Sequence, residues 1–576
     1  MMQKEWVQAQ QAPTNHLARY HGLSPILAQL LFNRGFEDPQ SAQEFVSGQD
    51  LSEDPFALKD VDSAVARIND AIAKREPIAV YGDFDADGVC ATALLSQTLL
   101  ALGGDVRPYI PSRAGEGYGL NAPALEKLAR QGVKLVVTVD CGIRSVAEVA
   151  AGMLAGLDMI VTDHHSIGPE LPAALAVINP RQEDCAGEER LAGVGVAFML
   201  AKALLLHRWE TKRDSYPAGF RISDLLDLVA LGTVADVVPL NVGLNRRLVK
   251  HGLVTINEMR RPGLAALAQV AGLKPGSIRA SDIGFGLGPR INAAGRLHTA
   301  MAAFELLCSA SVEEAMPRAQ ELHSLNARRQ QLTRRAQAAI SEQIGEDPGR
   351  TLIFAGDEDI QPGIIGLVAG RLAEAFYRPA VILEIGDDES RASCRSIPEF
   401  NITSALDECA DLLVRHGGHA MAAGFTVRNS NIETFRQALE QKAEAALRGR
   451  ALAPKLQIDG EVQLDELNEN LLRELDLLEP TGHENGKAIF LTRDLGLLHC
   501  RRVGEDGRHL KLRVANSSGG QADAIGFGLG EWARQMPRRI DAVYHAEINE
   551  WGGRRNLQLQ LLDIRPAANK RDRVSA

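Results

Sequence analysis

Between residues 77 and 180 the chain alternates short apolar runs with segments of helical periodicity, and this alternation constrains the fold more than any other feature. The apolar runs are PIAVYGDF, DVRPYIPS, VKLVVTVD and LDMIVTDHH. Strands that are apolar along their whole length are typical of parallel sheets covered by helices on both faces. The sequence therefore predicts an α/β unit built on a parallel sheet, with ligands bound at the carboxyl ends of its strands.

Three of these strands end in side chains that can bind a metal ion. They are Asp83, Asp85 and Asp87 in DFDADG, Asp140 in VVTVD, and Asp163, His164 and His165 in MIVTDHH. Three carboxylates at alternate positions repel one another unless a cation lies between them. Oxygen ligands with one or two imidazoles suit Mn²⁺ or Mg²⁺ better than a thiolate-preferring metal. A multinuclear metal site is the interpretation that uses the whole set.

Two other interpretations of DFDADG explain less. A calcium-binding EF-hand loop begins D-x-D-x-D-G, but its twelfth position must be a bidentate Glu and is Leu94 here, and a strand rather than a helix precedes the loop. An aspartyl-phosphate phosphatase would use Asp85 and Asp87 as nucleophile and acid. That chemistry gives no role to Asp83 or to the paired histidines.

A further acid, Asp236, lies in the apolar helical stretch ISDLLDLVALGTVADVV. An unpaired charge would be costly there. We expect Asp236 to be either a buried salt-bridge partner or a further metal ligand.

The rest of the chain predicts additional units. A long polar helix with several arginines joins the first α/β unit to a second one, which begins at TLIFAGD, and strand-like runs separated by Gly-rich or charged turns after ALAPK indicate a small β-barrel. The predicted division is an N-terminal segment (1–45), the first α/β unit with its helices (46–310), a connecting helix (311–348), the second α/β unit (349–450), the barrel (451–567) and a basic tail (568–576).

Composition bounds the class of protein. A length of 576 residues suggests about three or four domains. The seven scattered cysteines favour a reducing interior, and the absence of a long apolar run or an apolar leader predicts neither a membrane span nor a secretory signal, so we expect a cytoplasmic protein. The net charge of -11 does not exclude a nucleic-acid partner. Acids that hold metal ions make the total charge negative, while a basic channel elsewhere in the chain can still bind phosphate.

In order and spacing, DFDADG, VDCG, TDHH and GTVADVVPL resemble the motifs of the DHH phosphoesterase superfamily. GGHAMAAGF resembles the signature of the associated DHHA1 domain. With GEGYGL, LGPRINAAGR and the C-terminal barrel, the match comes close to the bacterial single-strand-specific exonucleases of this superfamily and covers nearly the whole chain. It implies a mixed α/β fold: a parallel-sheet DHH domain, a long helix, a smaller α/β DHHA1 domain and an OB-like β-barrel.

The resemblance also implies a two-metal site. Two Mn²⁺ or Mg²⁺ ions would be held by Asp83, Asp85, Asp140, His164 and Asp236, with Asp87 and His165 close enough to contact metal or substrate. The catalytic residues would be Asp140 as a bridging ligand, His164, and His165 as the group that polarises a phosphate oxygen or protonates the leaving 3′ oxygen. Relatives acting on pyrophosphate or short nucleotides often have a histidine where Ala79 stands, so whether Asp87 is a direct ligand or a support stays open.

Several polar residues are candidates for binding the phosphates of a strand. They are Arg113 before a Gly-rich loop, Arg290, Asn292 and Arg296 in a segment interpreted as flexible, and, by the resemblance, Ser393, Arg395 and His419 around a 5′ phosphate. In the barrel, the run from Arg501 to Arg513 has five Lys or Arg against two acids. A solvated barrel face explains this run nearly as well as a single-strand track with mainly phosphate contacts.

Together these features predict a single-stranded-DNA-specific 5′→3′ exonuclease that releases 5′-mononucleotides. The resemblance implies a role in DNA repair, including mismatch repair, and recombination. The implied partners are single-stranded DNA with a 5′ phosphate, a single-stranded-DNA-binding protein and a helicase, and the chain is expected to be a monomer. Two alternatives are a DHH phosphodiesterase acting on short oligonucleotides or pyrophosphate, and a catalytically inactive replication scaffold.

Overall fold

The structure of the chain is a computed structural model. The structure describes residues 4–567 except 18, 49, 113–115, 117–118, 213–218, 242, 346–348 and 552–553. Two predictions, for Arg113 and for the basic tail 568–576, lie outside the described residues. The N-terminal elements are β1 (Glu5–Gln8), α1 (Thr14–Leu17), α2 (Pro25–Asn33) and α3 (Pro39–Ser47).

The first α/β unit contains the predicted parallel sheet. Its elements are α4 (Val61–Lys74), β2 (Pro77–Gly82), α5 (Ala86–Ala101), β3 (Asp105–Tyr109), α6 (Ala122–Arg130), β4 (Leu135–Val139), α7 (Val146–Leu154), β5 (Asp158–Thr162) and β6 (Ala176–Ile178). The strands are parallel in the order β3-β2-β4-β5-β6. All residues of β4 are buried, as the fully apolar sequence predicted. The carboxyl ends of β2, β4 and β5 therefore meet at one edge of the sheet.

A helical block follows the sheet. It comprises α8 (Gly193–Lys212), α9 (Leu226–Ala235), α10 (Gly243–Asn257), α11 (Pro262–Ala271), α12 (Ala280–Asp282), the π-helical turn Ile283–Leu287, α13 (Gly288–Leu297) and α14 (Met301–Leu307). The segment with Arg290, Asn292 and Arg296 forms α13, so its interpretation as flexible was wrong. Asp236 directly follows the last residue of α9, which places its carboxylate at a helix end rather than inside the helix.

The connecting helix and the second α/β unit come next. They comprise α15 (Val312–Ile344), β7 (Ile353–Asp357), α16 (Ile365–Phe376), β8 (Ala380–Glu384), β9 (Glu389–Arg395), α17 (Ile402–Asp407), β10 (Leu413–His419), β11 (Ala422–Arg428) and α18 (Ile432–Leu447). With 33 residues, α15 is about 50 Å long. The sheet has the order β10-β11-β9-β8-β7, and β7 and β8 are its parallel pair.

The C-terminal region forms the predicted barrel. Its elements are β12 (Lys455–Ile458), β13 (Gly460–Glu461), α19 (Glu469–Leu475), β14 (Phe490–Val503), β15 (His509–Ala515), β16 (Gln521–Gly526), β17 (Arg539–Trp551) and β18 (Arg554–Pro566). Five strands close in the ring β14-β15-β16-β18-β17, because β17 also pairs with β14. The predicted mixed α/β fold with a C-terminal barrel is confirmed, whereas the boundaries of the six predicted segments stay a prediction.

The N-terminal segment packs against this barrel although more than 400 residues separate them in the chain. Strand β1 pairs in parallel with β12. Leu27, Leu31 and Phe45 share one hydrophobic core with Phe490 and Leu512 of the barrel. The N-terminal segment is therefore part of the barrel unit in space. Among the described residues, no helix is long and apolar enough to cross a membrane.

A buried arginine joins the helical block to the barrel unit. Arg246 on α10 is 2% exposed, and its guanidinium lies 3.6 Å from the ring centre of Phe45. Its nitrogens donate to five carbonyls, those of Phe45, Leu477, Leu478, Glu479 and Pro480, at 2.9–3.3 Å. Burial lowers the pKa of Arg246 to about 10, so the side chain stays charged at neutral pH. One cation thus satisfies the carbonyls of two chain segments that approach the helical block.

We expect Arg246→Met to loosen the barrel unit, because methionine fills the space but donates to none of the five carbonyls. Among the described residues, only the carbonyls of Leu478 and Pro480 keep another donor, the side-chain amide of Asn485. The expected loss is about 3 kcal/mol of unfolding free energy. Urea unfolding followed by tryptophan fluorescence measures it, since Trp6 and Trp532 lie in this unit. Arg221→Met is the matched control, because Arg221 is exposed on the same block. Equal urea midpoints for the two variants would contradict the structural role of Arg246.

Candidate metal centre

The loop after β2 begins the site, and its conformation follows from the N-terminus of α5. Asp85 is the N-cap of α5, and its Oδ1 accepts the amides of Asp87 and Gly88 at 2.9 and 3.1 Å. Gly88 packs directly on the loop, since a Cβ there would lie 2.6 Å from the Asp83 nitrogen. The carboxylate of Asp83 is buried. The DFDADG sequence thus combines a helix cap with acids held at the carboxyl end of a strand.

Asp140 and His164 lie at the middle of the site. Asp140 follows β4 with a φ of 61°, and its Oδ1 lies 3.1 Å from His164 Nε2. Both atoms are buried, and neither has a hydrogen-bond partner within the described parts of the chain. His164 Nε2 is also 3.6 Å from Asp236 Oδ2 and 3.9 Å from Asp87 Oδ2. A ring nitrogen facing three carboxylates without a hydrogen bond is an arrangement that a cation completes.

Asp87 supports the site from the side of α8. Its Oδ2 accepts the amide of Gly193 at 2.7 Å and its Oδ1 that of Val194 at 3.0 Å. The carboxylate therefore lies at the N-terminus of α8, where the helix dipole favours negative charge. Gly193 also touches Asp140, because a Cβ there would lie 2.5 Å from Asp140 Oδ1. Both oxygens of Asp87 are thus held by backbone amides, although each retains a lone pair.

Asp163 holds the histidine pair rather than facing the other carboxylates. Its Oδ1 accepts the amides of His164 and His165 and lies 2.7 Å from His165 Nδ1, and its Oδ2 accepts the Ile143 amide. Burial opposes the charged form of Asp163, but these bonds to His165 and the backbone lower its pKa overall. Burial likewise opposes protonation of His165, yet the bond and charge of Asp163 raise its pKa.

Asp87, Asp140 and Asp236 share a raised pKa. Burial raises the pKa of Asp87 to about 7, with the charge of Asp85 adding to the shift. Burial, followed by the charges of Asp87 and Asp85, raises the pKa of both Asp140 and Asp236. Burial and the charge of His165 lower the pKa of His164 to about 4, so its imidazole is neutral at physiological pH. A neutral imidazole among crowded acids is the form that coordinates a metal.

Three overlapping groups of ligand atoms satisfy the distances of a metal site. They are Asp83, Asp85 and Asp140; Asp140, His164 and His165; and Asp87, His164 and Asp236, each within 4.8 Å. Asp140 and His164 each belong to two groups. This donor set, mostly carboxylate oxygen with imidazole nitrogen, fits Mn²⁺ or Mg²⁺. The residues predicted as ligands therefore converge, and together with the buried atoms of Asp140 and His164 they fit a divalent cation site.

Helix α13 connects this site to the second α/β unit. Asn292 Oδ1 accepts the Ala86 amide at 2.8 Å, and Gly295 packs on the Phe84 carbonyl, which an added Cβ would approach to 2.3 Å. Four residues after Asn292, Arg296 Nη1 donates to the Gly363 carbonyl at 3.0 Å, just before α16. Asn292 thus caps the metal-site helix, and Arg296 ties the helical block to the second unit.

The other predicted phosphate-binding residues lie on both sides of this connection. Arg290 donates to the Gly286 carbonyl and contacts His323 on α15. Arg395 donates to Ser393 Oγ, and both side chains lie at the first turn of α16, within 3.2 Å of the Cβ position of Gly366. His419 is exposed at the end of β10. The structure thus groups Ser393 with Arg395.

Most cations in the basic run of the barrel, from Arg501 to Arg513, lie close to an acid. Arg502 pairs with Glu531, Arg508 with Asp506, and Lys511 lies 4.0 Å from Asp523. Arg501 and Arg513 make no ion pair with the described residues, and they lie on adjacent strands. Two of the five cations therefore have no acid partner within the described part of the barrel.

The sequence interpretation missed two residues near the site, Asn179 and Arg181. Asn179, fully buried after β6, donates to the His165 carbonyl at 3.0 Å and so holds the backbone of the histidine pair. Arg181 is exposed two residues later, and its charge opposes the rise in the pKa of Asp236. Their position at the carboxyl end of the fifth strand of the sheet is the signal that could have found them.

Comparison with family models defines the class. The DHH family N-terminal domain matches residues 77–233, the DHHA1 domain matches 349–445, and the RecJ OB domain matches 458–563. The protein is therefore a DHH-class phosphoesterase with a DHHA1 domain, and the resemblance seen in the sequence motifs is confirmed.

Similar proteins and structures identify the family within this class of phosphoesterases. The single-stranded-DNA-specific exonuclease RecJ of Bacillus subtilis is 37% identical over 573 residues, covering 96% of this chain and 71% of that protein. RecJ of Salmonella typhimurium is 36% identical over 566 residues, covering 94% and 96%. The crystal structure of Thermus thermophilus RecJ in complex with Mn²⁺ superposes with a TM-score of 0.84 at 32% identity, covering 98% of this chain and 80% of that chain. The complex of the same protein with Mg²⁺ gives a TM-score of 0.77 at 30% identity, with 98% and 79% covered. The chain belongs to the RecJ family.

We expect Asp140→Asn to stabilise the metal-free protein, and by more as the pH rises above the ordinary range of an aspartate, because burial and the neighbouring carboxylates raise the pKa of Asp140. A carboxyl group whose pKa is raised by folding contributes stability while it is protonated and loses it as pH rises through the folded pKa; asparagine does not titrate. Each kcal/mol of repulsion removed corresponds to about 2–4 °C in the unfolding midpoint. Thermal unfolding with chelator at several pH values measures the effect.

Mn²⁺ should reverse that order, because only the wild-type site keeps its full ligand set and gains stability from binding. Asp387→Asn, in an exposed turn, is the control for a general change of charge. A pH dependence of stability that is identical in wild type and Asp140→Asn would show that the carboxylates are not crowded.

Proposed function

We propose that this protein is a metal-dependent 5′→3′ exonuclease specific for single-stranded DNA, which releases 5′-mononucleotides and acts in DNA repair and recombination. The observation that carries the proposal is the convergence of Asp83, Asp85, Asp140, His164 and Asp236 in a chain of the RecJ family. An inactive scaffold would not need this ligand set. A phosphodiesterase for short oligonucleotides would not need the barrel.

Divalent cations, Mn²⁺ or Mg²⁺, would be held by these five residues, with Asp87 as a support or further ligand. When bound, they supply activation of water and neutralisation of charge on the phosphate. The residues of the chain determine where this happens. Asp85 and Asp87 are fixed by helix amides, and Asp163 fixes both histidines, so the ligands are already oriented before substrate arrives.

His165 is the proposed general acid. Asp163 engages its Nδ1, so a proton passed to the leaving 3′ oxygen comes from Nε2. The raised pKa keeps the imidazolium form present near neutral pH, which this step requires. His165 Nδ1 lies 4.0 Å from Asp140 Oδ1, so the ring is adjacent to the ligand that links two of the metal groups.

Ser393 and Arg395 form the proposed pocket for the 5′ phosphate. A guanidinium, a hydroxyl and the first turn of the 12-residue α16 together provide donors for an anion. Among the described residues Arg395 has no carboxylate partner, so its charge is available. A terminal phosphate held there would direct the next phosphodiester bond toward the metal centre, because Arg296 joins the helical block beside that centre to the loop before α16.

The same proposal includes partners and location. Because the substrate is single-stranded, we propose that a helicase supplies the strand and that a single-stranded-DNA-binding protein covers it. We propose a monomer, since every ligand in the site comes from one chain, and a cytoplasmic location, since the cysteines of the described chain are all free.

Digestion of labelled single strands tests the activity and its direction. A 5′-labelled strand incubated with Mn²⁺ should release its label at once as a mononucleotide, whereas a 3′-labelled strand should shorten progressively. Chelator should stop both reactions, and Asp140→Ala should lower the rate by at least about a hundredfold, because it removes a ligand shared by two metal groups. A ladder of internal cuts would exclude an exonuclease, and activity confined to oligonucleotides of a few residues would favour the short-substrate alternative.

Arg395→Met should remove the preference for a 5′ phosphate. We expect about a tenfold or greater fall in kcat/KM on 5′-phosphorylated strands and little change on 5′-hydroxyl strands, because a charge-assisted bond to phosphate is lost. Arg391→Met, exposed four residues earlier on β9, is the matched control. Equal losses on both substrates would place Arg395 outside the phosphate pocket.

A further inference from the structure

Phe285 projects from the π-helical turn Ile283–Leu287 with 88% of its surface exposed. Ile283 and Leu287 at the ends of the turn are fully buried, and the Gly288 amide closes the turn on the Ile283 carbonyl. The phenyl ring is therefore held in solvent by a well-anchored turn. Turns of this kind are rare and occur frequently at functional sites.

The turn lies beside the metal centre. A Cβ on Gly288 would come within 3.2 Å of the Ala235 Cβ, and Ala235 directly precedes Asp236. Gly284 faces Val234 of the same helix. Val237, on the other side of Asp236, is itself 62% exposed. Phe285 and Val237 are thus exposed apolar side chains in two segments that adjoin one of the proposed metal ligands, Asp236.

An arginine binds the backbone of the same turn. Arg290 Nη1 donates to the carbonyl of Gly286, the residue after Phe285, at 2.6 Å. Within the described parts of the chain Arg290 has no carboxylate partner. A guanidinium that can bind phosphate beside an aromatic ring that can stack on a base matches the two halves of a nucleotide.

Exposure alone would not distinguish Phe285, because single apolar residues are common on protein surfaces. Leu154, for example, is 90% exposed at the end of α7. It precedes β5 and so lies at the amino edge of the sheet, away from the metal centre. Phe285 differs because its turn is anchored at both ends, packs on the end of α9 just before Asp236, and accepts a bond from Arg290, which has no carboxylate partner among the described residues.

We propose that Phe285 is a stacking platform for one nucleobase of the strand that enters the metal centre. The inference rests on the proposed function. Stacking tolerates any sequence, because every base has an aromatic face. A base in a duplex is already stacked and paired, and freeing it costs energy. The platform therefore favours single strands over duplexes without reading sequence.

Kinetics on a single-stranded oligonucleotide test the platform. Phe285→Ala should raise KM about tenfold or more with a smaller change in kcat, and Phe285→Trp should restore it, because loss of one base stack weakens binding by that order. Leu154→Ala is the matched control for removing an exposed apolar side chain. The rise in unfolding midpoint with Mn²⁺ should be the same in all four proteins, which shows that the metal centre is intact.

Strands with a single abasic residue locate the stacked base. In the wild type, one abasic position near the 5′ end should raise KM as Phe285→Ala does, and in Phe285→Ala the same position should have no further effect. Wild-type KM for Phe285→Ala, or additive effects at every position, would overturn the platform. A wild-type protein that degrades no single strand would instead overturn the proposed function, so the two failures are distinguishable.

Discussion

The mutual repulsion of carboxylates at one edge of a parallel sheet is the constraint on which the rest of this structure depends. Asp83, Asp140 and Asp87 are all buried, and burial together with neighbouring charge raises the pKa of Asp140 and Asp87. A fold that gathers such groups loses stability unless cations bind. The loss of folding stability is confined to the metal centre. Extensive packing of the sheet and the helical block in a single hydrophobic core offsets it.

Backbone amides stabilise part of the negative charge that a cation would otherwise have to neutralise alone. The N-termini of α5 and α8 both point at the acids, and they supply amides to Asp85 and Asp87. Asp163 accepts three further amides. These bonds hold the carboxylates in place at no cost in added charge, so the ligand geometry exists before metal binds. Gly88 and Gly193 are required because a side chain at either position would collide with the acids.

Sequence reasoning predicted what depends on local pattern. Apolar strands that end in Asp or His gave the parallel sheet and its metal edge, because strand direction alone brings those ends together. Contacts between distant segments have no such pattern. The five carbonyls around Arg246, the seating of Phe45 in the barrel core and the bond from Asn179 to His165 depend on chain segments whose meeting only the folded structure determines. The ion pairs of the barrel cations had no local pattern for the same reason, since Glu531 and Asp523 lie outside the basic run that they partly neutralise.

The helical state of α13 matters most for the proposed activity, and it is where the sequence interpretation was wrong. Asn292 and Arg296 are four residues apart on one helix, a rise of about 6 Å. Asn292 binds the metal-site helix and Arg296 binds the loop before α16, so α13 fixes the separation between the metal centre and the proposed pocket for the 5′ phosphate. A flexible segment would let that separation vary, and cleavage would then occur at varying distances from the end. A rigid helix makes the position of hydrolysis a fixed distance from the bound terminus, which is the physical requirement for releasing mononucleotides one at a time.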